Sequence, residues 1–153
     1  MAIADYCQRD VRTIDARDTL RAAAVRMAEE GVGCLVGLLG SHPRAIVTDR
    51  DLALRVLRDG LDPDTTRVVD AFGTDPLVMH ETSSLRAAAA LMRRRSVRRI
   101  PIVNADEELV GILSSDDILR LVASELAGVA AAAAAQAPVE RSPGRPGPAP
   151  EGK

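Results

Sequence analysis

Two short stretches of the sequence, AIVTDRDL and GILSSDDI, place a hydroxyl and a carboxylate at the same spacing. The pairs are Thr48 with Asp51 and Ser114 with Asp117, and each follows a run of apolar residues. This spacing is typical of a helix capping box, in which hydroxyl and acid each accept a hydrogen bond from a backbone N–H. The simpler interpretation is therefore that both pairs only begin helices.

A second interpretation follows from where the pairs lie. Both follow apolar strands, and α/β proteins collect ligands at the carboxyl ends of strands, where helix N-termini point. An acid in the first helical turn repels phosphate. A carboxylate is better suited to accept hydrogen bonds from two vicinal hydroxyls, as on a ribose. Both interpretations stay open from the residues alone.

A cluster of arginines in MRRRSVRRIPIV offers a partner for a phosphate group. The arginines at 93–95 close a helix, where cations favour the C-terminal dipole and are solvated. Arg98 and Arg99 stand directly before an apolar strand, so one of the two is expected to face a cleft. A guanidinium can bind phosphate through two hydrogen bonds. The equivalent positions in the first half of the chain are the uncharged Gly33 and Cys34.

The elements that position these residues form an internal repeat. A shift of 65 (85 − 20) places Leu20 on Leu85 and TLRAAAVRM on SLRAAAALM. Beyond the middle loop the shift is 66 (112 − 46), so that Ile46 meets Ile112, and the extra residue falls within 105–108. Similarity this continuous indicates two copies of one structural unit.

Each copy reads as strand, helix, strand, strand, helix. Thr19 and Ser84 are natural N-caps for the first helix of each copy. One unit of this size has too little core, so we expect an α/β fold in which two pseudo-symmetric repeats pack through their sheets.

The predicted boundaries are 3–63 for the first repeat and 64–127 for the second. A joint rich in Gly and Pro lies between them, within RDGLDPDTT. Residues 128–153 are expected to be an alanine-rich helix extension followed by a disordered tail dense in Pro and Gly.

The composition excludes several classes of partner. The net charge is −2, which gives no basic field for nucleic acid, and Tyr6 and Phe72 are the only aromatic residues available for base stacking. The apolar run at 126–135 is too short and too rich in Ala and Gly to predict a membrane span. Cys7 and Cys34 indicate reduced thiols. We therefore expect a cytoplasmic protein without nucleic-acid or membrane partners.

Catalysis and metal binding are not predicted. His42 and His80 are the only histidines; the first lies in a predicted turn and the second precedes a helix cap. The sequence has no recognisable nucleophile elbow and no phosphate-binding Walker loop. The two histidines and the two cysteines share no metal-ligand spacing.

The paired repeats, the strand ending G-I-x-S/T-x-x-D and the VRRIPIV strand together resemble a tandem CBS-domain pair, or Bateman module. The resemblance covers about residues 3–126, and the layout is similar to stand-alone two-CBS proteins of the hypoxic response protein type. It implies clefts between the repeats that bind adenosine-containing ligands such as AMP, ADP, ATP or S-adenosylmethionine. It also implies a homodimer in which two pairs form a flat disc.

The resemblance assigns roles to particular residues. The ribose side falls on the two hydroxyl–Asp pairs, Thr48 with Asp51 and Ser114 with Asp117, and the phosphate side on Arg98 or Arg99. The strand residues expected to hold adenine between them are Val36, Ile46, Val47, Ile100, Pro101, Ile112 and Leu113.

The two clefts are expected to differ. Because each cleft of the family mixes elements of both repeats, Arg98 or Arg99 is expected to work with Asp51, leaving the cleft of Asp117 without a phosphate anchor. The sequence thus predicts a non-enzymatic sensor that binds an adenosyl ligand and changes conformation. The alternative is a ligand-free CBS dimerisation or protein-interaction module, in which both Asp residues only cap helices.

Overall fold

The structure is a computed structural model that describes residues 2–73 and 75–135. Contacts divide the chain into two units, and the boundary along the chain lies between residues 121 and 122. The first unit carries both repeats, and the second begins within the last helix. The predicted Pro/Gly-rich tail from residue 136 onward lies outside the described residues.

Both repeats contain the predicted order of strand, helix, strand, strand and helix, which confirms the mixed α/β class, but a short helix at Val68–Phe72 was not predicted. The strands are Thr13–Asp15 (β1), Cys34–Leu39 (β2), His42–Thr48 (β3), Met79–His80 (β4), Arg99–Val103 (β5) and Leu109–Ser114 (β6). The α-helices are Leu20–Glu30 (α1), Asp49–Ala53 (α2), Val68–Phe72 (α3), Leu85–Arg95 (α4) and Ser115–Ala135 (α5). A 3₁₀ helix at Ile3–Asp5 precedes β1, and a π-helical segment at Leu54–Arg58 follows α2.

The two sheets have the same topology. Each is a three-stranded sheet in which the first strand pairs in parallel with the second and the second pairs antiparallel with the third, in the orders β1-β2-β3 and β4-β5-β6. The predicted N-caps hold the first helix of each repeat: Thr19 accepts a hydrogen bond from the N–H of Ala22, and Ser84 accepts one from the N–H of Ala87. The two repeats thus have the same sheet topology and the same type of N-cap on their first helix.

The hydrophobic core of each repeat includes the segment that opens the other repeat in sequence. Ile3, in the 3₁₀ helix, is fully buried in the core of the second repeat together with Ile100 and Leu113. Val68, in α3, belongs to the core of the first repeat. The N-terminal segment is therefore part of the second repeat's fold, although it opens the first repeat in sequence.

Helix α5 is long and carries little charge. Its 21 residues contain an 18-residue window with a mean hydropathy of 1.6, none of which is buried, so the helix meets the length and composition of a membrane span. The sequence analysis predicted no membrane span because it considered only the apolar run at 126–135, the last ten residues of this helix. Its first turn carries Asp116 and Asp117, which are costly in a bilayer, and Asp117 is bonded into the first unit. Length and composition alone are thus not sufficient to assign helix α5 to a membrane.

Gly111→Ala is expected to destabilise the second repeat by about 1–3 kcal/mol, the usual cost of overpacking. A Cβ at this position in β6 would lie 2.6 Å from Cys7 Sγ and 3.0 Å from the Gln8 carbonyl oxygen. Urea denaturation measures the loss. Gly128→Ala is the control, because a Cβ there meets no atom within 4 Å and alanine favours a helix. Equal effects of the two substitutions would contradict close packing of the N-terminal segment on β6.

Candidate ligand-binding site

Both hydroxyl–Asp pairs form complete capping boxes. Asp51 Oδ2 accepts hydrogen bonds from the Thr48 N–H at 3.3 Å and hydroxyl at 2.7 Å, while Thr48 Oγ1 accepts one from the Asp51 N–H. Ser114 and Asp117 repeat the arrangement, with donor distances of 2.9 and 2.6 Å to Asp117 Oδ2. The simpler interpretation is thus correct as far as it goes. Each box uses only one carboxylate oxygen, however, and the other oxygen stays outside it.

The two carboxylates differ at that second oxygen. Asp117 Oδ1 accepts a hydrogen bond from Gln8 Nε2 at 2.9 Å and lies 3.6 Å from Arg120 Nη1. Within residues 2–73 and 75–135, the side-chain oxygens of Asp51 accept hydrogen bonds only from Thr48. Asp51 therefore keeps Oδ1 for an external donor, whereas Asp117 Oδ1 already accepts an internal one.

The surroundings of Asp117 favour its charged form. Burial by itself would raise the pKa of this carboxyl, but hydrogen bonds from Ser114 and Gln8 and the nearby Arg120 guanidinium outweigh burial and lower it. A carboxyl whose pKa is lower in the folded than in the unfolded state stabilises the fold above its unfolded pKa of about 3.9, and the contribution is lost as pH falls through the folded pKa.

Asp117→Asn is therefore expected to reduce stability at pH 7 and to have progressively less effect below about pH 4, where the wild-type carboxylate also becomes neutral. The free energy of unfolding of both proteins, measured by urea titration at pH 7 and at acid pH, tests this. A difference between the two proteins that does not change with pH would show that the charge of Asp117 is not what the fold uses.

A cavity of about 430 Å³, within the range of small-molecule sites, lies beside Asp117. It is built by the segment before β1, the start of β2, the antiparallel strands β5 and β6, and the first turns of α5. Both repeats therefore contribute to it. The lining residues are Gln8, Asp10, Val11, Arg12, Val32, Gly33, Cys34, Val36, Arg99, Ile112, Ser114, Asp116, Asp117 and Arg120.

The cavity brings together five of the residues that the sequence indicated for the ligand: Val36, Arg99, Ile112, Ser114 and Asp117. The others do not line it. Ile100, Pro101, Val47 and Leu113 are buried, Ile46 and the Thr48–Asp51 pair lie partly exposed at β3 and the start of α2, and Arg98 is exposed.

The position of Arg99 corrects the expected pairing of the clefts. Arg99 is directly opposite Ser114 in the β5–β6 register, and directly opposed residues present their side chains on the same face of a sheet. Arg99 therefore lines the cavity of Asp117. The sequence-based expectation placed Arg98 or Arg99 with Asp51 and left this cleft without a phosphate anchor, whereas in the structure Arg99 lines the cavity of Asp117, which Asp51 does not line. Of the two candidate arginines, Arg99 and not Arg98 faces this cavity.

Arg99 is also the cavity arginine whose charge is not balanced by an ion pair within the described residues. Arg12 pairs with Glu30 at 3.1 Å, and Arg120 lies 3.6 Å from Asp117. Arg99 faces Cys34, whose thiol pKa is raised by burial and only partly lowered by the guanidinium, so the thiol is neutral at neutral pH. The guanidinium of Arg99 is thus available to an external anion.

Sequence reasoning missed Gln8, Arg12 and Arg120 as lining residues. Gln8 and Arg12 come from the segment before β1, which carries no motif, and only the repeat shift could have drawn attention to them. That shift places Gln8 on Gly73 (8 + 65), a residue without a side chain. The only sequence signal for Gln8 was thus that one copy of the repeat has a polar side chain where the other has glycine.

The chain matches known proteins along both repeats. The sequence profile of the CBS domain matches residues 3–58 and 62–124. Over 122 residues the chain is 30% identical to the uncharacterized protein MK0525 of Methanopyrus kandleri, covering 79% of this chain and 62% of that protein, which is less than two thirds of its length. Hypoxic response protein 1 of Mycobacterium tuberculosis is 30% identical over 118 residues, covering 76% and 81% of the two chains.

Solved structures share the fold at 28–29% identity. Hypoxic Response Protein I, crystallised with two coordinated zinc ions, superposes with a TM-score of 0.70 over 78% of this chain and 98% of that one. In the described part of the present chain, no three His, Cys, Asp or Glu side chains are grouped to hold a metal ion. The CBS domain protein PAE2072 from Pyrobaculum aerophilum, complexed with AMP, superposes with a TM-score of 0.71 over 84% and 99%. The chain belongs to the CBS-domain family and carries two CBS domains in tandem.

Proposed function

We propose that the protein is a non-enzymatic sensor that binds an adenosine-containing nucleotide, with AMP as the first candidate, in the cavity of Ser114 and Asp117. One observation carries the proposal: a single cavity holds a carboxylate suited to ribose hydroxyls and, in Arg99, a guanidinium without an ion-pair partner in the described chain. The AMP complex of PAE2072, a relative at 29% identity, supports the ligand class.

The cavity provides a group for each part of such a ligand. Asp117 accepts hydrogen bonds from the ribose hydroxyls, Arg99 donates to the phosphate, and the partly exposed Val32 and Ile112 contact the adenine. Apolar side chains serve here because the sequence supplies almost no aromatic residues. Asp51, with its second oxygen outside the capping box, is the corresponding ribose group of a second cleft.

A nucleotide in this cavity contacts both repeats and therefore acts on their packing. It shifts the balance between two packings only by the difference in its affinity for them. A partner protein in the cytoplasm would detect the change.

The exposed helix surfaces support a homodimer. Val25 in α1, Leu57 in the π-helical segment and Leu119 in α5 are 48%, 83% and 66% exposed. Val25 and Leu57 line one apolar groove. Exposed apolar surface of this kind marks protein–protein contacts, and a second copy of the chain is the occupant we propose. Sedimentation at micromolar concentration is expected to give twice the mass of one chain, and the mass of a single chain would contradict the dimer.

A thermal-shift screen tests the ligand. A compound that binds only the folded state and is present at a hundred times its dissociation constant stabilises the fold by about 2.7 kcal/mol. AMP, ADP, ATP and S-adenosylmethionine form the screen, and 2′-deoxy-AMP is the control, because it removes one of the hydroxyls that Asp117 recognises. No shift with any of the four would favour the ligand-free interaction module, since both capping boxes are complete without a ligand.

A further inference from the structure

The N-terminal segment places the side chain of Gln8 at the cavity. Gln8 pairs with Ile112 of β6 through two backbone hydrogen bonds, both 2.9 Å long. These bonds fix the backbone of Gln8, while its side chain remains exposed to solvent. From there the carboxamide donates the 2.9 Å hydrogen bond to Asp117 Oδ1.

The carboxamide occupies the oxygen that a ribose would need. The capping box uses Asp117 Oδ2, so Oδ1 is the oxygen left for an incoming hydroxyl. An amide N–H and a sugar hydroxyl are both neutral donors to a carboxylate. A ribose that brings two hydroxyls to Oδ1 needs both lone pairs of that oxygen, and the amide holds one of them. Arg120, at 3.6 Å, lies close to the same oxygen but is too far away for a hydrogen bond.

Resting on the proposed function, we infer that Gln8 is a built-in competitor that lowers the affinity of the Asp117 cavity for ribose. The amide can rotate into solvent while the two backbone bonds to Ile112 keep the segment in place. Release therefore requires no unfolding of the segment. A ligand must supply hydroxyls that replace the amide, which favours an intact ribose over a deoxyribose.

Among the described residues, Asp51 in the first repeat has no equivalent of the contact between Gln8 and Asp117. Gly73 takes the position of Gln8 under the repeat shift, and within the described residues Asp51 Oδ1 accepts no hydrogen bond. The competitor thus acts on one of the two carboxylates only. The two clefts differ in their access to ribose as well as in their arginines.

Gln8→Ala and Gln8→Met test this by calorimetric titration with AMP. Methionine keeps the length of the side chain but removes the amide donor. If the amide holds Asp117 in about 70–90% of molecules, its removal makes AMP bind roughly three- to tenfold more tightly. Arg9→Ala is the control for a loosened segment, because Arg9 donates to the Ala4 and Val110 carbonyls and does not line the cavity. It is expected to leave the affinity unchanged.

A second comparison localises the effect. In an Asp117→Asn background, Gln8→Ala is expected to bring no gain, because the contested carboxylate is gone. If both Gln8 variants bind AMP as tightly as wild type or less tightly, the inference is overturned and the proposed function still stands. Absence of AMP binding in wild type and variants alike would overturn the proposed function, and the inference with it.

Discussion

Ile3→Ala is expected to lower the free energy of unfolding by about 2–5 kcal/mol, the usual cost of truncating a fully buried isoleucine. Ile3 is 0% exposed and lies in the core of the second repeat with Ile102 and Ala88. Its backbone N–H also donates to the Ser83 carbonyl at 2.9 Å. Urea denaturation measures the loss.

Asp5→Ala in the same 3₁₀ helix is the matched control, since its side chain is exposed and surface changes cost within about 0.5 kcal/mol. Near-equal losses for Ile3→Ala and Asp5→Ala would contradict the packing of the N-terminal segment into the second repeat. That packing also matters for the ligand site, because it brings Gln8 to Asp117.

Arg99→Ala is expected to weaken AMP binding by about 10- to 100-fold while leaving adenosine binding nearly unchanged. The loss corresponds to about 1.5–3 kcal/mol for a hydrogen-bonded contact to a charged group. Adenosine lacks the phosphate, so it should not report the missing guanidinium. Calorimetric titration of both ligands into both proteins gives the ratio.

Two variants bracket this result. Arg99→Lys keeps the charge but loses the planar fork, so an intermediate loss is expected. Arg98→Ala removes an exposed neighbour that does not line the cavity and is expected to bind AMP like wild type. Equal losses of AMP and adenosine in Arg99→Ala would show that the residue supports the fold of the cavity and does not bind the phosphate.

The repeat, the order of elements and both capping boxes were predictable because they depend on local spacing. A hydroxyl three residues before an acid, or before a free backbone N–H, forms its hydrogen bond within one turn of helix. Thr19, Ser84 and the two hydroxyl–Asp pairs all behave in this way. The two-repeat α/β architecture followed from the similarity of the two halves.

The arrangement of the cavity was not predictable in the same way, because it depends on pairing between distant residues. Strand alternation showed that one of Arg98 and Arg99 faces a cleft, but only the β5–β6 register shows that Arg99 is opposite Ser114. The bond from Gln8 to Asp117 joins residues 109 positions apart. No local pattern encodes such contacts, which is why the sequence left Arg98 and Arg99 open and did not place Arg99 at the cavity of Asp117.

The position of AMP in crystals of the wild-type protein grown at saturating AMP shows whether Asp117 and Arg99 form the nucleotide site. We predict ribose hydroxyls within hydrogen-bond distance of Asp117 Oδ1, with the Gln8 amide displaced, and the phosphate on the guanidinium of Arg99. An empty cavity under these conditions, or AMP bound away from Asp117 and Arg99, would contradict the proposed nucleotide site.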